Sequence, residues 1–483
     1  MPEEPEFCDI SKIHFLLILA LVLICGIYVF LCTVNVLFAL AFVLMAAMAY
    51  FFFRNPDLSF MSYVLMLPFV YSPFLYSIPR PLSSLKIVVL LLILLLGLFI
   101  LCKRIHSTGI IFKIFAIILF TLYVVGWIRS GDYMLKVFSE NLVGKLPLAS
   151  YLFNYASWTI LSFAPLFIIA IFFRTIDEIE KVIEILAYST LLIAAFLMMI
   201  FLLKVSDRSN FETIRAELAA WMGMHGNDIS NYCTLAFPVI LAWMLTKKST
   251  LSILSLGAIA VTTLLCFSRT GYFLIIVGLF MYFILSGRLK WLPVIVAVLA
   301  AVLIFLIPDM IIERAVMGLS EGDANELSAG RVNYLWIPLL HEISDKSQIL
   351  LFGMGRYGIA QTDSWMQGRI SNYLHAHNVY LDCILDMGIL GLGIILIIFA
   401  MVIIYFYRFA KKVKDTLPYC SNLLNGCLVS IICFFMGGLT GRSFFPNQGN
   451  FYLWLVIGLG FSVVEYVKTI NFGFQLNYEE VNK

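Results

Sequence analysis

Long apolar runs separated by short polar turns cover most of this chain. A helix crossing a bilayer needs about 17–25 apolar residues. By that measure the runs predict about fourteen spans, at 14–32, 34–53, 61–78, 85–102, 110–128, 153–173, 183–203, 229–246, 250–267, 271–286, 289–307, 379–407, 420–438 and 451–467. The first two share one run and those between 229 and 307 follow closely, so twelve or thirteen spans fit as well. None of the runs alternates with period two, and in lipid only helices or closed barrels satisfy the backbone. The predicted fold is all-α, a polytopic transmembrane bundle of about 12–14 spans. The polar pattern divides it into an N-terminal bundle of about eleven spans (1–307), one large loop with amphipathic helices (308–377) and C-terminal helices with a tail (378–483).

Composition sharpens this picture. The chain has 483 residues, 62% hydrophobic and 13% charged, with a mean hydropathy of +0.98. Soluble domains carry about a quarter charged residues. The net charge of +3 and the lack of a long basic run give no reason to expect nucleic acid. The ten cysteines lie mostly inside apolar runs without a CxxC pair, as small core residues do. The N-terminus "MPEEPEFCDISK" is acidic, unlike the basic leader of a cleaved signal peptide.

Charge also sets the sides. Lys103 and Arg104, Lys247 and Lys248, Arg288 and Lys290, and the run Arg408 to Lys414 fall on one side, which the positive-inside rule makes cytoplasmic, with both termini. The segment 308–374 is then outside, as are 130–152 and 205–228. Ten arginines lie outside (80, 129, 208, 215, 269, 314, 331, 356, 369 and 442) against five inside. Guanidinium forks bind phosphate in bidentate fashion and stay charged in apolar surroundings.

Several outer motifs carry candidate chemistry. In "CFSRTGYF", Arg269 stands between two apolar runs with almost no loop, at the membrane edge, where an arginine is costly unless paired or wet. In "ELSAGRVNYLWIPLLHEISD", Val332, Leu335, Trp336, Leu339, Leu340 and Ile343 recur at helical spacing, predicting an amphipathic helix on the membrane surface or capping the bundle, with Arg331 near its start. "LLFGMGRYGIAQ" reads GxGxxG, but no βαβ unit surrounds it. What remains is a glycine turn that lets backbone amides approach something closely, with Arg356 inside. In "NYLHAHNVYLDCILDMGILGLGI", Asn378 fits an N-cap, and Asn378, Asp382 and Asp386 form a polar stripe at i+4 spacing. Gly388, Gly391 and Gly393 permit close helix contact. His375 and His377 precede that stripe, and imidazole suits proton abstraction at neutral pH. A third metal ligand for "HAH" is not evident. Arg442, in "LTGRSFFPNQGN", sits at the outer edge of the last hairpin.

"SRTGYF" with Arg269, "GRVNYLW" with Arg331 and Trp336, "FGMGRYG", and "AHNVYLDCILDMGILGLG" with His377 together resemble the O-antigen ligase and polymerase superfamily of bacterial envelope enzymes. They span Cys266 to Ile394, about a quarter of the chain. The resemblance implies a fold similar to GT-C type glycosyltransferases in the bacterial inner membrane, with the active site facing the periplasm. It implies a metal-independent, inverting glycosyltransferase without cofactor. The donor would be a glycan on undecaprenyl pyrophosphate, and the acceptor a sugar of lipid A core (ligase) or a lipid-linked repeat unit (polymerase). By resemblance His377 is the base and Arg269 and Arg331 engage pyrophosphate. Arg356, Arg442, Asn378, Asp382 and Asp386 are further substrate-binding candidates, and His375 has no matching role. From another class, a lipid-linked glycan flippase would also suit many spans and outer arginines.

Overall fold

A computed structural model describes residues 50–73, 84–137, 157–291, 309–316, 330–370, 373–441 and 443–481, with isolated positions between them. The spans expected at 14–32, most of 34–53 and most of 289–307 lie outside the described residues, as does Arg442.

Every regular element among the described residues is helical. In chain order the helices are α1 (Pro56–Met66), α2 (Ser84–Cys102), α3 (Ile110–Val137), α4 (Ser157–Phe172), α5 (Ile176–Leu203), α6 (Phe211–Met222), α7 (Gly226–Lys247), α8 (Thr250–Leu265), α9 (Arg269–Leu285) and α10 (Asp309–Val316). They continue with α11 (Ile337–Asp345), α12 (Ser347–Phe352), α13 (Asp363–Met366), α14 (Val379–Lys412), α15 (Pro418–Gly437) and α16 (Phe451–Val481). Six of these, α3, α5, α7, α14, α15 and α16, are long and apolar enough to cross a membrane, and α2, α4, α8 and α9 contain shorter apolar helices. The chain is thus a polytopic helical membrane protein.

Contacts divide the chain into two units, residues 1–63 with 91–103, and 64–90 with 104–483. In the first, Phe60 packs on Phe99 at 5.3 Å between ring centroids and Lys103 pairs with Asp57 at 2.7 Å. Everything described below lies in the second. Its helices begin where short polar side chains replace the missing helical acceptors. Thr175 and Glu178 close a reciprocal capping box on α5. Asn210 caps α6, and Ser268 caps α9.

The bundle packs through small residues and aromatic rings. A Cβ on Gly426 of α15 would stand 2.8 Å from the Pro238 carbonyl of α7, and one on Gly458 of α16 would stand 2.9 Å from the Leu166 carbonyl of α4. Such close approach is how helices associate where lipid removes the hydrophobic drive. Phe163 and Trp454 meet edge to face at 4.8 Å. The outward positions Ile117, Ile128, Leu203 and Ile397 are largely exposed, as a lipid-facing surface requires.

Two features depart from the expected pattern. First, α14 is not one straight span. Gly388 adopts φ 74° and ψ 178° and breaks it. A Cβ there would fall on the Leu351 carbonyl of α12, so only glycine permits this approach. Gly388 therefore interrupts a helix rather than simply thinning its surface. Second, the segment from Val332 opens with a π-helical turn, Val332–Trp336, before α11. Leu335, Leu339 and Ile343 are buried and pack on Ile359, Trp365, Ile370 and on Leu381 and Leu385 of α14. The segment caps that end of α14, and Leu340, expected on the apolar face, is exposed instead.

The bundle has two chemically different ends. Helices α7, α9 and α14 run from one end, bearing His225, Arg269 and Asn378, to the other, bearing Lys247, Arg288 and Lys412. Lys247 and Arg288, which the charge pattern grouped on one side, share one of these ends.

Candidate functional site

The end bearing His225, Arg269 and Asn378 is organised around the residues just before α14. Asn378 caps the helix, its Oδ1 accepting from the backbone N–H of Tyr380 (3.0 Å) and Leu381 (3.2 Å). One turn on, the buried Asp382 accepts from the Ala376 N–H at 2.6 Å. The Trp336 indole N–H donates to the Ala376 carbonyl at 2.8 Å, and Val379 N–H donates to the Gly438 carbonyl at 2.8 Å. These bonds bracket His377, whose φ is +52°. A non-glycine residue there costs about 1–3 kcal/mol and persists only where its surroundings impose it. The His375 and His377 rings meet edge to face at 4.0 Å.

Asp386, two turns below Asn378, does different work. Its Oδ2 pairs with Arg356 at 2.9 Å and its Oδ1 accepts from the Gly358 N–H at 2.9 Å. Arg356 also donates to Ser443 Oγ at 3.0 Å and lies over the rings of Tyr357 (4.2 Å) and Phe445 (4.6 Å). Both charges are almost fully buried. The amides of the glycine turn are committed as well. Met354 N–H donates to the Leu385 carbonyl at 2.7 Å and Gly355 N–H to the Asp386 carbonyl at 2.8 Å. What the turn approaches closely is thus the backbone of α14 beside its break, not an anion. Gly353 has φ +65°, and a Cβ on it would meet the Met387 and Gly388 amides. Arg129 supports the same turn by donating to the Phe352 and Gly353 carbonyls.

Two adjoining cavities open at this end. The smaller, about 60 Å3, is lined by His377, Asn227, Ser230, Ser268, Thr270 and Thr440 among others. The larger, about 480 Å3, is lined by Trp127, Trp158, Tyr71, Tyr357, His375 and Arg356 among others. His225, Asp228, Ser443, Asn447 and Gly449 line both. His225 caps α7, its Nδ1 accepting from Asn227 N–H at 3.2 Å, which assigns the proton to Nε2. Asp228 is buried, and the loop after α15 closes over it, with Asn231 Nδ2 donating to the Gly449 carbonyl at 2.9 Å.

A cationic cluster adjoins residues of the smaller cavity's lining, and no arginine lines that cavity itself. Arg215 of α6 feels the charges of Arg314 of α10 and Arg269 of α9, and Arg314 also acts on Arg269. Burial first, then Arg314, pulls the Arg215 guanidinium below its ordinary value. Arg215 donates to Asn227 Oδ1 at 3.1 Å, and Asn227 lines the same cavity as His377. Arg314 stacks over Phe211 at 5.1 Å.

Of the sequence candidates, His377 and the immediate neighbours of Arg269 meet at the smaller cavity, while Arg356 lines the larger one. Asp382 and Asp386 hold the backbone and Arg356. Arg331 stands at the start of the capping segment, five residues before the Trp336 that bonds Ala376. Sequence reasoning counted Arg215 and Arg314 among the outer arginines but did not single them out, and it missed His225 and Asp228. Yet "MHGNDIS" has the feature that drew attention to "HAHNVYLD", a histidine and an acid at the door of an apolar run. Among the described residues no three His, Cys, Asp or Glu side chains are grouped to hold a metal ion.

Residues 250–396 match the family model for O-antigen ligase. The matched segment begins with α8, includes Arg269, Arg331 and Arg356, and ends within α14 beyond His377. No curated protein matches the chain. The match supports an O-antigen ligase-like, glycosyltransferase-like enzyme in a multi-pass membrane protein.

Proposed function

We propose that the chain transfers a glycan from undecaprenyl pyrophosphate to a sugar hydroxyl on the periplasmic face, as an O-antigen ligase does. The observation that carries this reading is that the cavity lined by His377 is also lined by Asn227, which accepts from Arg215, and by Ser268, Thr270 and Gly271, the neighbours of Arg269. Arg215, Arg269 and Arg314 come from three helices, and their summed positive potential favours an anionic group nearby. A pyrophosphate has the charge and the oxygen geometry for guanidinium forks.

The chemistry then needs little more. The acceptor hydroxyl attacks the anomeric carbon from the face opposite the pyrophosphate. The new C–O bond forms as the bond to the phosphate oxygen breaks. The electron pair leaves on undecaprenyl pyrophosphate, where the arginines stabilise the developing charge. His377 takes the hydroxyl proton, a contribution worth about 10²–10⁴-fold, and the anomeric configuration inverts. Asp382 positions His377 through the Ala376 amide, and Arg356 with Asp386 positions the loop around the larger cavity. That cavity, with aromatic walls and His225 and Asp228 as polar groups, suits the acceptor saccharide.

His377→Ala in vesicles supplied with purified lipid-linked donor is expected to fold and to lose transfer by at least about 10². Undiminished transfer would remove the base assignment. The acceptor is read by deleting the gene. Lipid A core without polymer, with long polymer left on undecaprenyl pyrophosphate, identifies a ligase. Core with a single repeat unit identifies a polymerase.

A further inference from the structure

At the end of the bundle away from His225, His375 and His377, the turn after α9, the last turns of α14 and the first turns of α15 enclose another cavity, of about 470 Å3. Arg288, Lys411 and Lys414 line it, and no carboxylate does. None of the three forms an ion pair with a described residue. Of the four acids at this end of α5, Asp177, Glu178, Glu180 and Glu184, Glu180 is taken by Lys247 at 2.7 Å.

The cavity is equipped with more than charge. Asn425 of α15 lines it, is 5% exposed, and its carboxamide makes no hydrogen bond to a described residue. Its neighbour Asn422 differs. That side chain accepts from the Tyr282 hydroxyl at 3.2 Å and donates to the Pro418 carbonyl at 2.8 Å. Gly287, at φ +73°, turns the chain back after α9. A Cβ there would stand 3.1 Å from Lys414 Nζ, so the glycine leaves room for that ammonium. Ile284 and Tyr407, both about half exposed, also line the cavity, so its mouth opens beside lipid-facing surface.

We infer that this cavity holds the phosphate of an anionic glycerophospholipid headgroup. Three cations around one space raise its positive potential, which an anion lowers, and the carboxamide of Asn425 beside them has an N–H to offer it. A phosphodiester suits both, with oxygens for the Arg288 fork, the two ammonium groups and the Asn425 N–H. The apolar flank at Ile284 and Tyr407 gives the acyl chains a place that free phosphate would not require. By the charge rule this end faces the cytoplasm, where basic pockets between spans select anionic headgroups. The inference stands apart from the glycan chemistry at the opposite end, so failure of one leaves the other untouched.

The test is lipid retention by the purified full chain, measured by native mass spectrometry with added phosphatidylglycerol or phosphatidylcholine. Selective retention of phosphatidylglycerol is expected. Each of Arg288→Gln, Lys411→Gln and Lys414→Gln should weaken it about fivefold, and all three together roughly a hundredfold. Lys411 and Lys414 are exposed, so their single variants keep the test open if the triple variant does not fold. Equal retention of phosphatidylcholine, or unchanged affinity in the folded variants, would overturn the inference. So would saturable binding of inorganic phosphate in phosphatidylcholine nanodiscs that phosphatidylglycerol fails to displace, which would assign the cavity to a soluble anion.

Discussion

The buried pair of Arg356 and Asp386 offers the sharpest test of how the site is held. Its two side chains come from a glycine turn and from a broken helix, and both are almost fully buried. Asp386→Asn keeps the volume and an oxygen for the Gly358 N–H. It removes the charge that balances Arg356 and turns an N–H toward a guanidinium. Removing one partner of a buried pair costs about 3–5 kcal/mol, because the other charge stays behind. Ser443 Oγ and the two ring faces lessen the loss, each cation–π contact by about 0.5–2 kcal/mol. The lower part of the range, about 3 kcal/mol, is therefore expected. Arg356→Met should cost a similar amount, since the carboxylate would retain only the Gly358 amide and its backbone surroundings. The double variant Arg356→Met with Asp386→Leu should cost far less than the sum, as buried pairs replaced by apolar groups often do. The assay is reversible unfolding in detergent for the four members of the cycle, beside KM for lipid-linked donor. Additive effects below about 1 kcal/mol each, with a tenfold rise in donor KM for Arg356→Met alone, would refute the reasoning and make Arg356 a substrate ligand.

Other expectations follow from single contacts. Gly388→Ala should destabilise by at least about 3 kcal/mol, since the left-handed φ and the Leu351 carbonyl both exclude a Cβ, and wild-type unfolding would contradict that. Arg215→Gln and Arg269→Gln should each raise donor KM about tenfold or more, the equivalent of about 1.5–3 kcal/mol per charged hydrogen bond, and unchanged KM in both would separate the cluster from pyrophosphate. Trp336→Phe removes the indole bond to Ala376 and should cost about 1 kcal/mol of stability. It should lower kcat more than it raises KM, because it loosens the backbone that sets His377. A change in KM alone would tell against that coupling.

The sequence by itself determined most of the architecture. Apolar runs of span length allow only helices in lipid, and helices α2 to α5, α7 to α9 and α14 to α16 appear close to where the runs placed them. It also determined the chemistry of the door to α14, since an asparagine at a helix start caps and an acid four residues on falls on the same face. The tertiary structure alone decided what those polar groups serve. Local spacing shows that Asp386 faces the bundle, but not that its partner is Arg356, thirty residues earlier, or that the glycine amides go to α14 rather than to an anion. A break at Gly388 reads in sequence as close packing, because only the arrival of the Leu351 carbonyl turns a small residue into a necessary one. Arg215, Arg269 and Arg314 are separated by 54 and 45 positions, and charges that far apart become one cluster only when three helices converge. Periodicity acts over one turn or one span, whereas a site is made by groups that the chain brings together from far along its length.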